Sequence, residues 1–329
     1  MLMMQAQSIE NTCERIAKHF VMKRNYSISA LRLFALALIV SCHVCQFYES
    51  AWAWYLNVGV DLFLLVSGYL YGVRDIEHFP TFMWRRILKI GVPFCVIVIA
   101  FYGALWVRGE PFTSLAIARS LFGVSFPKGL GHLWFVPCIL ICYLLLPYFQ
   151  ILKAHILALP SVKMWSWVIV LASVTVFIGV RSRWRIWNPE WLLCFFAGYF
   201  WPNVKSKLTP SACRAIVWVL MTMGGIALVL RLVMGWASAE DVRHVPYLKF
   251  LLAFGIFLPF IEYKFVADNA VLDLSDRYSY EIYLTHQIFL LGPFSLLPKW
   301  GACVCIVLSS VMLKFISEKA SLKLKAVKI

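Results

Sequence analysis

The chain has 329 residues, 62% of them hydrophobic and only 14% charged, which is far more apolar sequence than one water-soluble core can bury. Its net charge of +15 would suit nucleic acid in a soluble protein, but here about 21 of the 31 Lys and Arg fall in alternate connections, so the charge reads as membrane topology and no nucleic-acid partner is expected. The ten cysteines are scattered mostly inside apolar runs, which argues for buried thiols and against a disulfide framework.

Residues 1–28 carry charge without a signal-peptide core and read as a cytosolic amino-terminal segment, in which Met22 before Lys23 and Arg24 is a second candidate start. Apolar runs of about 15 to 22 residues follow, and a bilayer core of ~30 Å takes about 20 helical residues. They predict spans over 29–47, 55–74, 87–107, 131–150, 164–180, 189–203, 213–234, 247–265, 278–297 and 300–315. The expected fold class is all-α, a polytopic membrane helix bundle of about ten transmembrane helices with amino and carboxyl ends cytosolic. One transmembrane domain, 29–317, is followed by a basic cytosolic tail, 318–329. Arg181, Arg183 and Arg185 sit together on the outside against the charge rule, either as a solvated loop or as contacts for an anion. The longest connection, 108–130, has Pro111, Gly123, Pro127 and Gly129 around a mildly apolar stretch, which suits a re-entrant or surface-lying segment.

Ionisable groups within spans cost about 2.5 to 3.5 kcal/mol each, so they face a cavity or one another. In the first span His43 lies ~20 Å above the cytosolic boundary, and Arg32 precedes it by eleven residues, about three turns, on the same helix face. Cys42 and Cys45 flank His43, but no second Cys/His pair with matching spacing exists and Gln46 stands where a haem motif needs His; no metal is expected. The second span descends from the outside and places Asp61 at a depth close to His43. There it either fixes the imidazole tautomer, as general-base catalysis requires, or bonds a helix end. Arg85, Arg86 and Lys89 then form a compact cationic patch at the cytosolic face, either topogenic anchors or, with Arg32, a receptor for a phosphate-bearing ligand. His132 and Trp134 open the fourth span near the outer interface. In the ninth, Ser279, Tyr283 and His286 follow i, i+4, i+7 and form one polar stripe that faces a cavity or stitches helices together.

These residues occur in an order that resembles the membrane-bound acyltransferase 3 family. The series is Arg32 with His43, then Gly59-Val60-Asp61-Leu62-Phe63 through Ser67-Gly68-Tyr69, Arg85-Arg86 with Pro93, and His132-Leu133-Trp134-Phe135. It continues with Phe196 and Gly198 and ends at Tyr280-Glu281-Ile282-Tyr283-Leu284 with His286. The fourth span lacks the acidic residue that many relatives carry soon after the Trp, and so looks more like the branch of sugar O-acetylases.

The resemblance implies an acyl-CoA donor, most simply acetyl-CoA, and a sugar hydroxyl of a cell-surface polysaccharide or lipid-linked glycan as acceptor. It also implies a multi-pass protein of the bacterial cytoplasmic membrane, in contact with membrane lipids. On that reading Arg32, Arg85, Arg86 and Lys89 receive the CoA phosphates and His43 is the general base with Asp61 as partner. Ser67 or Tyr69 supplies an oxyanion donor, and His132, Trp134, Tyr283 and His286 contact the acceptor. Trp52, Trp54, Trp184 and Trp187 near the outer surface are sugar-stacking candidates or an aromatic belt. A homodimer is compatible with the sequence, which does not set the oligomeric state. The rival reading is a transporter or flippase for a lipid-linked glycan, but neither paired broken helices nor a half-chain repeat is present. A glycosyltransferase would need paired carboxylates for a metal-bound nucleotide sugar, and no such pair stands in a loop.

Overall fold

A computed structural model describes residues 25–50, 52–158, 189–233, 245–263, 269–296 and 299–326, and these are all-helical with no strand among them. Helix α1, Tyr26–Phe47, starts where the Asn25 side chain accepts a hydrogen bond from the Ser27 amide at 3.0 Å and so caps an otherwise orphaned donor. Its 22 residues reach ~33 Å, enough for the hydrocarbon core. The short α2, Trp52–Leu56, runs into α3, Val58–Gly72, with only Asn57 between them. Helix α4, Phe79–Arg86, passes through a π-helical turn, Ile87–Gly91, into α5, Val92–Val107. After the short α6, Ser114–Leu121, a 3-10 turn over Gly131–Trp134 leads into α7, Phe135–Leu144, and α8, Leu146–Ala158. The chain continues as α9, Pro189–Lys205, α10, Pro210–Val233, and α11, Val245–Glu262. It ends with α12, Ala270–Leu291, and α13, Lys299–Ala326.

Among the described residues, four continuous or nearly continuous helices are long and apolar enough to cross a membrane: Tyr26–Phe47, Trp52–Gly72, Phe79–Val107 and Trp300–Lys325. Gly131–Leu144 with Leu146–His155 makes a fifth if counted as one span; the pair is bent by 46° where Pro147 lacks the amide proton that would carry the helix on. A helix stands at every expected span except 164–180, which lies outside the described residues along with Arg181, Arg183, Arg185, Trp184 and Trp187. Several boundaries differ from the sequence reading: the third span begins at Phe79, not 87, and the fourth continues to Ala158, beyond 150. Helix α12 begins well before position 278, because Asn269 caps it by accepting from the Val271 amide at 2.8 Å. Helix α13 continues to Ala326, so most of the expected basic tail is a helical extension.

Helix α3 is the centre of the packing, with α1 on one side and α9 on the other. A methyl group at Gly68 would run into the Phe195 carbonyl, one at Gly72 into the Tyr199 carbonyl, and one at Gly198 into the Leu65 carbonyl. The backbones of α3 and α9 therefore touch, which only glycines spaced four apart permit. Helix α12 packs between α1 and α13, bringing the polar stripe of α12 against His43. The 108–130 connection contains only the short α6, held to α5 by the Tyr102 hydroxyl, which contacts the Ala116 carbonyl at 3.1 Å and the Ser120 hydroxyl at 3.0 Å.

Candidate functional site

Three adjoining cavities lead through the helices that carry the singled-out residues. The first, about 230 Å³, is lined by His43 and Gln46 of α1, Asn57 and Val60 at the start of α3, His132 and Trp134 of the 3-10 turn, and Tyr283 and Gln287 of α12. No Asp, Glu, Lys or Arg lines it among the described residues. The second, about 140 Å³, is lined by Arg32, Ser67, Arg86, Lys89, Phe135, Tyr143, Asp276, Ser279, Tyr280 and Tyr283. The third is a vestibule of about 590 Å³ between Arg85, Lys89, Tyr280 and Glu281 on one side and Lys314, Ser321 and Lys325 of α13 on the other. Neighbouring cavities share walls: Tyr283 borders the first and second, while Lys89, Asp276 and Tyr280 border the second and third.

Around the first cavity three imidazoles converge. The ring centroid of His43 is 5.0 Å from that of His286 and 6.2 Å from that of His132, and His132 and His286 are 4.7 Å apart. His286 donates from Nδ1 to the Tyr283 carbonyl at 2.7 Å and is wholly buried. Gln287 joins the other two. Its Oε1 accepts from the His132 amide at 2.9 Å and lies 2.9 Å from His132 Nδ1, while its Nε2 is 3.3 Å from His43 Nδ1. The Tyr283 hydroxyl donates to the His132 carbonyl, closing the 3-10 turn onto α12. Trp134 stacks on Trp191 of α9, centroids 3.6 Å apart, which leaves its indole at the cavity wall.

Two expected neighbours of His43 lie elsewhere. Val60, not Asp61, lines the cavity. One residue further is ~100° round the helix, so the Asp61 carboxylate is buried away from that cavity, on the side of the Cys194 thiol of α9 and within the field of the Lys249 charge of α11. The contact at His43 Nδ1 is instead Gln46 Oε1, at 2.6 Å. Ser67 lines the middle chamber beside Tyr143, and Tyr69 packs on Phe257 with centroids 5.8 Å apart; neither borders the His43 cavity. Asn57 does border it, and its side chain makes no bond to the start of α3.

The basic residues divide between the other two cavities. Arg32 pairs with Asp276 at 3.6 Å, and the Ser29 hydroxyl donates to the same carboxylate at 2.5 Å. The Arg86 guanidinium lies over the rings of Phe82, Tyr71 and Tyr143 at 5.3, 5.5 and 5.9 Å, with its Nε buried and without a hydrogen-bond partner among the described residues. Arg85, one residue away, faces the vestibule, so the expected single patch is split across two chambers by the helical step. Lys89 serves both. Lys314 and Lys325, not singled out by sequence because they read as span end and tail, form the opposite wall. Lys314 is tied down by the Arg277 carbonyl at 2.6 Å and by Glu281 at 3.5 Å.

Chemically, the first cavity offers an imidazole base, amide donors and an aromatic face without fixed charge. The other two offer cations, one of them with a buried unsatisfied donor, along a path that ends at Tyr283. A family model described as an acyltransferase domain, that of the acyltransferase 3 family, matches residues 25–316. No curated protein and no solved structure matches the chain.

Proposed function

The chain belongs to the acyltransferase 3 family and is a membrane acyltransferase, and from that premise we propose that it moves an acyl group, most simply acetyl, from acyl-CoA to a sugar hydroxyl. The acceptor is a cell-surface polysaccharide or a lipid-linked glycan. The observation that carries this reading is the shared walls of the three cavities, because a long thioester with a polyanionic head needs cations at one end of a path and a base at the other.

The donor, when bound, supplies an activated carbonyl at the end of a flexible arm. Arg85, Lys89, Lys314 and Lys325 hold its phosphates in the vestibule. The buried Nε of Arg86, unpaired among the described residues, is a donor for the arm or its proximal phosphate in the middle chamber. Tyr283 marks the junction that the arm passes to reach His43. There His43 takes the proton of the acceptor hydroxyl as general base. The amides of Asn57 and Gln287 are the neutral donors in the same wall for charge developing on the carbonyl oxygen. Trp134, fixed by Trp191, presents a flat face to the sugar ring.

The protein is read as lying in the bacterial cytoplasmic membrane with about ten spans and both ends cytosolic. This rests on the loop distribution of Lys and Arg and on the helices standing at the expected spans. His43 then opens toward the outer side and the vestibule toward the cytosol, where acyl-CoA is made.

The test is acetyl-CoA turnover by purified protein in lipid with candidate glycans, comparing wild type with His43→Ala at equal folded yield. Wild type is expected to form acetylated sugar, and the variant to be slower by roughly 100-fold or more. Equal rates would remove His43 from the mechanism. A wild type that leaves the thioester intact yet moves a glycan lipid across the bilayer would replace the enzyme with a transporter.

A further inference from the structure

Nδ1 of His43 sits between two amides of opposite character: the Gln46 carbonyl oxygen at 2.6 Å and the Gln287 NH2 group at 3.3 Å. A single ring nitrogen satisfies only one. With a proton it donates to Gln46; without one it accepts from Gln287. The orientation of Gln287 is set from its other end, because Oε1 receives the backbone N–H of His132 and the NH2 group must therefore point at His43. Gln46 is three residues beyond His43 on α1 and shares its helix face, so its reach is set by the helix itself. Of the two contacts, 2.6 Å is a short, strong approach, and 3.3 Å lies beyond the usual N–H donor range of about 2.7 to 3.2 Å.

We propose that Gln46 is a positioning residue that keeps the proton of neutral His43 on Nδ1 and leaves Nε2 as the base for the acceptor hydroxyl. The inference rests on the acyl-transfer reading above. The hydroxyl proton passes to Nε2 as the acceptor oxygen bonds the acyl carbon. The carbon–sulfur bond then breaks, and the departing thiolate takes the proton from Nε2 to leave as thiol. Through this cycle Nδ1–H never leaves the Gln46 oxygen. Gln287 favours the opposite tautomer, with the proton on Nε2, in which the ring has no lone pair for the hydroxyl.

This role differs from that of an acidic partner. An amide selects the tautomer without adding a negative charge to a cavity that has none among its described lining residues. The titratable groups facing His43 are His132 from the 3-10 turn and His286 and Tyr283 from α12. From α3, Asp61 does not line the cavity; Lys249 of α11 lies over the Trp54 ring at 5.1 Å, and the face of α13 near Val40 and Val44 is apolar.

The experiment compares Gln46→Leu and Gln46→Glu with wild type for kcat/KM as a function of pH, using acetyl-CoA and an accepted glycan, together with 15N NMR of the His43 ring. Gln46→Leu is expected to lower kcat roughly 100-fold at unchanged donor KM, with the ring signal moving toward the Nε2–H tautomer. Gln46→Glu, which can only accept, is expected to restore most of the turnover. Its carboxylate favours the imidazolium, so the acidic limb of the profile moves to higher pH. Wild-type kcat in Gln46→Leu, or an unshifted limb in Gln46→Glu, would overturn the proposal. If wild type turns over no thioester, the acyl-transfer reading fails by itself, and the NMR tautomer still decides whether Gln46 holds the Nδ1 proton. Should Gln46→Leu not fold, the pH limb of Gln46→Glu carries the decision.

Discussion

At the His43 end the cavity wall is made of amides, imidazoles and a stacked indole, whereas at the vestibule end Arg85, Lys89 and Lys314 alternate with Asp276, Glu281 and Glu318. Both ends lie among apolar helices, and each meets the cost of burying polar groups differently. The vestibule and the middle chamber beside it offset charge with charge, as in the Lys314–Glu281 and Arg32–Asp276 pairs. The histidine cavity has no such pairs among its described lining and places single protons with neutral amides instead. On the proposed reading, donor binding and proton transfer fall to separate sets of residues that meet at Tyr283.

Single substitutions test that separation. The largest effect beyond His43 and Gln46 is expected at Arg86, whose buried Nε has no partner among the described residues. Arg86→Ala should raise the acetyl-CoA KM by roughly 10- to 100-fold while kcat changes little, since a charge-assisted bond is worth about 1.5 to 3 kcal/mol. A fall in kcat as large as the rise in KM would show that the two ends are not separable. Asp276→Asn comes next. It weakens the hold on Arg32 and should alter donor KM by a few-fold, more strongly at low salt, read from KM at two ionic strengths. The smallest effect belongs to Lys325→Ala at the outer lip of the vestibule, where an exposed charge is worth under about 1 kcal/mol; a change in donor KM of no more than about fivefold is expected.

The sequence was readable wherever periodicity along one helix was enough. Arg32 and His43, eleven residues apart, do open onto one run of cavities, and Ser279, Tyr283 and His286 form a stripe that reaches the middle chamber, the junction and the histidine cluster in turn. It failed where azimuth between helices mattered. The depth of Asp61 follows from counting residues, but its direction follows from how glycines let α3 lie against α9, and that turns the carboxylate away from the His43 cavity and toward Cys194. Gln46 and Gln287 were passed over because a neutral amide in a span looks like any helix-packing group; only its distance to a ring nitrogen marks it out. The position of Gln46, three residues from a suspected base, was the one available signal. Lys314 and Lys325 were missed because an apolar run was taken to end at position 315, whereas the helix goes on and carries them to the vestibule.

Tyr283 borders two chambers at once, and the Phe135 ring beside it lies 5.4 Å away, centroid to centroid. On the proposed reading a thioester approaches from one face of a membrane and a sugar from the other, and such a passage would also carry hydrogen ions. In an energised membrane an open channel would dissipate the gradient the cell works to maintain. The two rings, with the Tyr283 hydroxyl tethered to the His132 carbonyl, stand at that junction. An aromatic junction that a donor arm would have to pass would then double as electrical insulation, with the arm of the substrate taking over as the seal during turnover.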